Sequence, residues 1–168
     1  MKWHWLFLGC ILACSVSAFA QQEQNGLQVE VSRKTMARND VRTGYYDEQR
    51  INRTMALHVT VKNVSMKPFP AGEIDYSLLV LKVNYFPSHY LLYSGTEALH
   101  ALQIGESADV VIGAAEVNGF RDIGTQRKDK MDYKVVIKHG NTQTAQLASN
   151  EGFDAIAASA EKVPSGHN

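Results

Sequence analysis

The chain has 168 residues with 17 Lys and Arg against 17 Asp and Glu, so no global field attracts a polyanion and nucleic-acid binding is not expected. Both cysteines, Cys10 and Cys14, precede residue 20, and the remainder has neither disulfide nor thiol chemistry and must be held by packing. A Walker loop, a Rossmann glycine fingerprint and a G-x-S-x-G elbow are all absent from the sequence, which leaves no strong catalytic motif.

Residues 1–20, MKWHWLFLGCILACSVSAFA, set Lys2 ahead of an apolar run and end on Ala18-Phe19-Ala20, the order of a secretory signal peptide cleaved after Ala20. The run is about half the ~20 residues that a spanning helix needs, so no transmembrane span is expected. Ile11-Leu12-Ala13-Cys14 also resembles a bacterial lipobox, in which Cys14 would carry a lipid anchor; the small-x-small site ending at Ala20 is the fuller match. Both readings export the chain, to the periplasm, the outer surface or the medium. Loss of Lys2 with the signal leaves the mature chain one acid in excess.

Residues 21–26 are polar and expected to be disordered, and the domain is expected to run from 27 to 160. Leu27, Val29 and Val31 alternate with polar residues and predict a first strand. The segment 33–53 gathers Arg33, Lys34, Arg38, Arg42, Arg50 and Arg53 among Asp40, Asp47 and Glu48; a solvated loop is the expectation, with an acidic glycan or lipid head group as its alternative partner. Met55, Leu57, Val59 and Val61 then share one face of a strand. Pro68, Pro70 and Gly72 mark a long turn.

Residues 74–85 are apolar on both faces, as expected of a central or covered strand. A shorter apolar candidate spans 90–93, and Gly105-Glu106-Ser107 marks a turn before the run 110–112. Residues 113–132, broken by glycines and charges, read as a loop with room for one poorly formed strand. His139-Gly140-Asn141 separates two strands of a hairpin. An alanine-rich stretch at 149–160, with Phe153, Ile156 and Ala157 on one face, predicts a short helix before a flexible tail at 161–168. About seven strands with one helix predict an all-β, immunoglobulin-like β-sandwich.

The stretches LHVTVKNVSMKPFP, LQIGESADVVI and DYKVVIKHGNTQTAQLAS resemble immunoglobulin-like domains of bacterial envelope proteins. The whole chain is similar to small secreted proteins of Verrucomicrobia such as Akkermansia, some of them associated with type IV pilus-like systems. The resemblance implies a cysteine-free sandwich scaffold and transfers no catalytic residue. Tyr133, after Asp132, is placed to act as a tyrosine corner.

Outside the signal, the histidines are His58, His89, His100, His139 and His167, none at the short spacing of a ready-made metal pair, so neither metal nor cofactor is expected. The acidic pairs Asp47-Glu48 and Glu73/Asp75 read as solvated edges rather than acid and base. Asn52-Arg53-Thr54 and Asn63-Val64-Ser65 match the glycosylation sequon, a short pattern frequent by chance. The best binding feature is the segment 84–93, where Tyr85, Phe86, Tyr90 and Tyr93 surround Pro87; such rings anchor partners or stack on sugars, and otherwise cap one end of the core. Tyr45 and Tyr46 form a second candidate. The expected function is non-enzymatic binding or assembly with an envelope protein or surface glycan, in adhesion or a pilus-associated role; the alternative is a small secreted hydrolase whose site folding assembles.

Overall fold

The computed structural model describes residues 20–43, 48–83, 87–122 and 125–164, and the period-two stretches form strands stacked in two sheets. In chain order these are β1 (Ala20–Gln24), β2 (Leu27–Thr43), β3 (Glu48–Asn63), β4 (Gly72–Lys82), β5 (His89–Leu99), β6 (Ser107–Asp122), β7 (Thr125–Lys128), β8 (Lys130–His139) and β9 (Thr142–Ala148), then helix α1 (Phe153–Ala157) and β10 (Glu161–Lys162). One sheet has the order β1-β2-β3-β6-β7 and the other β10-β5-β4-β8-β9. Without β1, β7 and β10, the remaining seven strands form the two facing layers of an immunoglobulin-like sandwich, β2-β3-β6 against β5-β4-β8-β9. Residues 1–19, with Cys10 and Cys14, lie outside the described residues.

The three additional strands correct the expected count of about seven. Residues 21–24, expected to be disordered, pair with β2 because Asn25 (φ 50°) and Gly26 (φ 79°) make a tight hairpin turn, the positive-φ pair that matches strand twist. Glu161 and Lys162, assigned to the tail, pair parallel with Leu91 and Leu92, and the Val163 amide donates to the Leu92 carbonyl at 2.9 Å.

The larger correction concerns the two charged loops. Residues 33–53 continue β2 and β3 in register from Ala37↔Thr54 to Thr43↔Glu48, and residues 113–122 continue β6, with β7 beside it. Pairing satisfies their backbone groups, so they need no apolar face to be strands. Polar side chains conceal the alternation in 33–42, and in 113–122 it is carried only by Ala115, Val117 and Gly119, two of them without a large side chain.

The core fills the space between the layers with Leu57, Val59 and Val61 of β3 against Ile74, Leu78 and Val80 of β4, all fully buried. β4 is central, between β5 and β8. Its other face buries Leu79, and α1, which packs against both flanking strands, buries Phe153. On β4, Asp75 accepts from Thr96 of β5 at 2.8 Å and pairs with Lys138 of β8.

The Lys138 hydrogen bond is the chief cause holding the Asp75 carboxyl below its ordinary range. A depressed carboxyl stabilises the fold above its unfolded pKa and loses that contribution as pH falls through the folded pKa. Asp75→Asn is therefore expected to be less stable than the parent at neutral pH and equal to it in strong acid. Urea midpoints measured across the acid limb check this, and because the pair is largely solvated the gap should be small.

Asn63 closes the end of the sandwich opposite the charged extension. Fully buried, it donates from Nδ2 to the carbonyl oxygens of Lys67 (2.8 Å), Leu102 and Gln103 (both 3.2 Å), and accepts the Ser65 hydroxyl at 2.7 Å. This is the asparagine of one sequon, and its amide is fully engaged in tying two loops together.

Candidate binding surface

Beyond the sandwich, β2, β3, β6 and β7 continue as a single layer. The chain leaves this layer at Asp129, level with Asn118, whose carbonyl accepts the Asp129 amide at 2.8 Å. Among the described residues, β7 has substantial contact with β6 alone, and residues 33–42 are exposed throughout.

Register determines which side chains share a face. Arg38, Arg53 and Val117 lie in one row across the strands. Two residues further out come Asp40, Ile51, Gly119 and Lys128, and two beyond those come Arg42, Gln49, Arg121 and Gln126. Because Val117 is a core residue, these rows extend the inner face of the sheet. The intervening rows, including Asn39, Asn52, Asn118 and Arg50, face outward. Cations thus stand on a rigid ladder and flank a partly apolar floor.

Two adjoining recesses lie along this face. The outer one, about 80 Å³, is lined by Ile51, Arg53, Gly119, Arg121 and Gln126 among others. The inner one, about 430 Å³, is lined by Arg33, Met55, Lys130, Met131 and Asp132, and the two share Val117 and Lys128.

The charges here are unevenly paired. Arg38 donates to Asp40 through Nε at 2.9 Å, a bond that pushes the Asp40 carboxyl down, with Arg53 adding a smaller attraction. Arg33 lies 3.8 Å from Asp132 and over the Tyr133 ring, 5.8 Å from its centre. Among the described residues, no carboxylate is within ion-pair distance of Arg42, Arg53, Arg121 or Lys128. Nε of Arg53 is shut from water and has no acceptor among the described residues, an unmet donor that native structures seldom leave without a reason.

A buried ion pair fastens the base of the layer to the second sheet. Lys82 of β4 and Asp129, with side chains 5% and 1% exposed, are 3.0 Å apart. The ammonium also donates to the Glu116 carbonyl on β6 at 2.7 Å.

The aromatic candidates are placed differently. Tyr90 and Tyr93, both half-buried, pair with Leu81 and Leu78, so they stand on opposite faces of β5. Tyr93 faces the core, where burial, followed by the nearby Glu116 and Asp129 charges, raises its pKa; the structure does not bring these two rings to one surface. Tyr85, Phe86, Tyr45 and Tyr46 lie outside the described residues. Tyr133 is a buried core residue whose hydroxyl reaches the Val31 carbonyl of the facing sheet at 3.5 Å, a long contact across the core rather than a local corner.

The remaining polar clusters are small. His58 lies 3.5 Å from Asp109, while Thr60 donates its hydroxyl to that same carboxylate at 2.5 Å. The hydroxyl therefore addresses the acid, whereas nucleophile activation needs it on the imidazole. Among the described residues no three His, Cys, Asp or Glu side chains converge as metal ligands, and no helix is long and apolar enough to cross a membrane.

Fold and surface together define a class: an all-β, immunoglobulin-like sandwich with one sheet prolonged into a basic, single-layer extension. No protein-family model matches the chain, nor does any curated protein. A crystal structure from Akkermansia muciniphila is similar over 86% of this chain and 84% of its own, at 14% identity and a TM-score of 0.38. At that distance, function has to be read from this chain's own residues.

Proposed function

We propose that the protein is an exported, non-enzymatic domain of a bacterial envelope or surface that binds or assembles with another macromolecule. The observation that carries this is the extension of β2, β3, β6 and β7, which holds cations on paired strands and in which residues 33–42 are exposed throughout. The signal-like residues 1–20 support export, and the sequence resemblance supports an envelope, adhesion or pilus-associated setting. Tyr45, Tyr46, Tyr85, Phe86 and Tyr90 are secondary candidate anchors, with Tyr93 the weakest because it packs on the core. Cys14 is the candidate lipid-bearing residue.

Expression of the full chain in a host with an outer membrane tests both parts. The released or envelope-bound species should have the mass of a chain starting at Gln21, and it should show no glycosidase, esterase or protease turnover with or without zinc. A lipid-bearing species starting at Cys14 would replace the free form by an anchored one. Turnover abolished by a single pocket substitution would reject the binding-domain reading.

A further inference from the structure

The outermost inner-face row, Arg42-Gln49-Arg121-Gln126, alternates guanidinium with amide across four strands. With strands ~4.8 Å apart, the row extends about 14 Å, enough to track a short oligosaccharide. Guanidinium forks match carboxylate or sulfate oxygens bidentately. The intervening amides both donate and accept, as sugar hydroxyls do. Behind the row, the recess floored by Ile51, Val117 and Gly119 receives the apolar face of a ring, with Arg53 and Lys128 beside it.

We propose that the inner face of this extension binds an acidic carbohydrate, its carboxylate or sulfate groups held by Arg42, Arg53, Arg121 and Lys128 and its hydroxyls by Gln49 and Gln126. Other polyanions fit less well. Stacked bases need exposed aromatic platforms, and the one aromatic lining the recess, the half-buried Phe120, stands by register in the outward row with Arg50. A lipid surface makes no use of amides set between the cations, and an acidic peptide, whose backbone also bonds amides, is separated from a glycan by the polyglutamate arm of the test. The inference rests on the binding-domain reading, but its failure is distinguishable from that of the reading, since loss of glycan binding without enzymatic turnover overturns only the carbohydrate assignment.

The test is titration of the full exported chain against polygalacturonate, chondroitin sulfate, neutral dextran, polyglutamate and phosphatidylglycerol vesicles, at low and physiological salt. Binding is expected to one or both acidic glycans, which separates carboxylate from sulfate recognition, and not to dextran. It should weaken as salt rises. Removing two charged hydrogen-bonding groups in Arg42→Gln/Arg121→Gln should cost about tenfold or more in affinity, whereas Lys62→Gln, on the sandwich body, should leave it unchanged. Gln126→Ala keeps the charge and should still weaken glycan binding.

Gly119→Leu should block the recess, because a Cβ there meets only ordinary contacts, at 3.6 Å from the Arg127 carbonyl and the Ile51 Cβ; a melting curve confirms that the variant folds. The proposal is overturned by absent binding to both acidic glycans, by equally tight binding to polyglutamate or vesicles, or by parental affinity in the double-arginine variant.

Discussion

Asp129→Ala is expected to destabilise the protein by about 3 to 5 kcal/mol, the range for removing one partner of a buried ion pair. Its carboxylate accepts the Val83 amide at 3.0 Å on one oxygen, and the Asn118 amide at 2.9 Å together with Lys82 at 3.0 Å on the other. Alanine leaves an ammonium without its counter-charge and two amides without their acceptor. Lys82→Met should cost less, because the carboxylate keeps both amides.

A double replacement by methionine and leucine, which is often neutral or stabilising for a buried pair, should not recover parental stability here. The orphaned Val83 and Asn118 amides would still cost about 1 to 3 kcal/mol each. Urea unfolding of the parent, both single variants and the double variant decides this, and a double variant as stable as the parent would show that the two amide bonds contribute nothing. Hydrogen exchange should accelerate in residues 115–128, since Lys82 and Asp129 clamp the base of the extension through Glu116 and Asn118.

Gly113→Val carries the second large effect, about 2 to 5 kcal/mol, combining a left-handed backbone cost of roughly 1–2 kcal/mol with an overpacking cost of roughly 1–3 kcal/mol. Gly113 has φ 67°, and a Cβ there would stand 2.8 Å from Tyr76 Cε2 and 3.0 Å from Leu78 Cδ1. The residue lies where β6 changes register, between the pairs Leu57↔Ile112 and Met55↔Ala115. This irregularity brings β6 close over the β4 side chains before the strand runs on into the extension. Gly113→Ala should lose less than Gly113→Val, because a β-branched side chain adds rotamer restriction to the same backbone strain. Thermal melting of the two variants gives the order, and equal stability of Gly113→Val and parent would mean that Tyr76 yields freely.

Period-two alternation was sufficient to place Leu57, Val59 and Val61 on the inner face, because one face of their strand meets a core and the other meets water. A strand apolar on both faces predicted β4 as central, and Gly140-Asn141 marked a hairpin now seen with Gly140 at φ 55°. The Asn25-Gly26 turn is equally legible, since an Asn-Gly pair before an alternating strand is a strong hairpin signal, whereas the polar residues 21–24 show no strand pattern of their own.

Other features depend on pairing between distant segments. Residues 33–42 have no buried stripe of their own to announce a strand, and in 113–122 the buried stripe is only Ala115, Val117 and Gly119; both become strands because each supplies β3 with a partner. The shared face of Arg42, Gln49, Arg121 and Gln126 exists only through that register, in which a shift of one residue would reverse the faces. Conversely, the cluster of aromatics in residues 84–93 suggested one surface, yet the pleat of β5 sends Tyr90 and Tyr93 to opposite sides. Asp129 reads as one more charge in a basic stretch; its burial depends on Lys82, 47 residues away in the chain. Sequence alone thus determined the sandwich, because a core imposes a local pattern on every strand that lines it. Tertiary structure decided the basic face and its clamp, because strand register and buried charge pairing join residues that no local pattern connects.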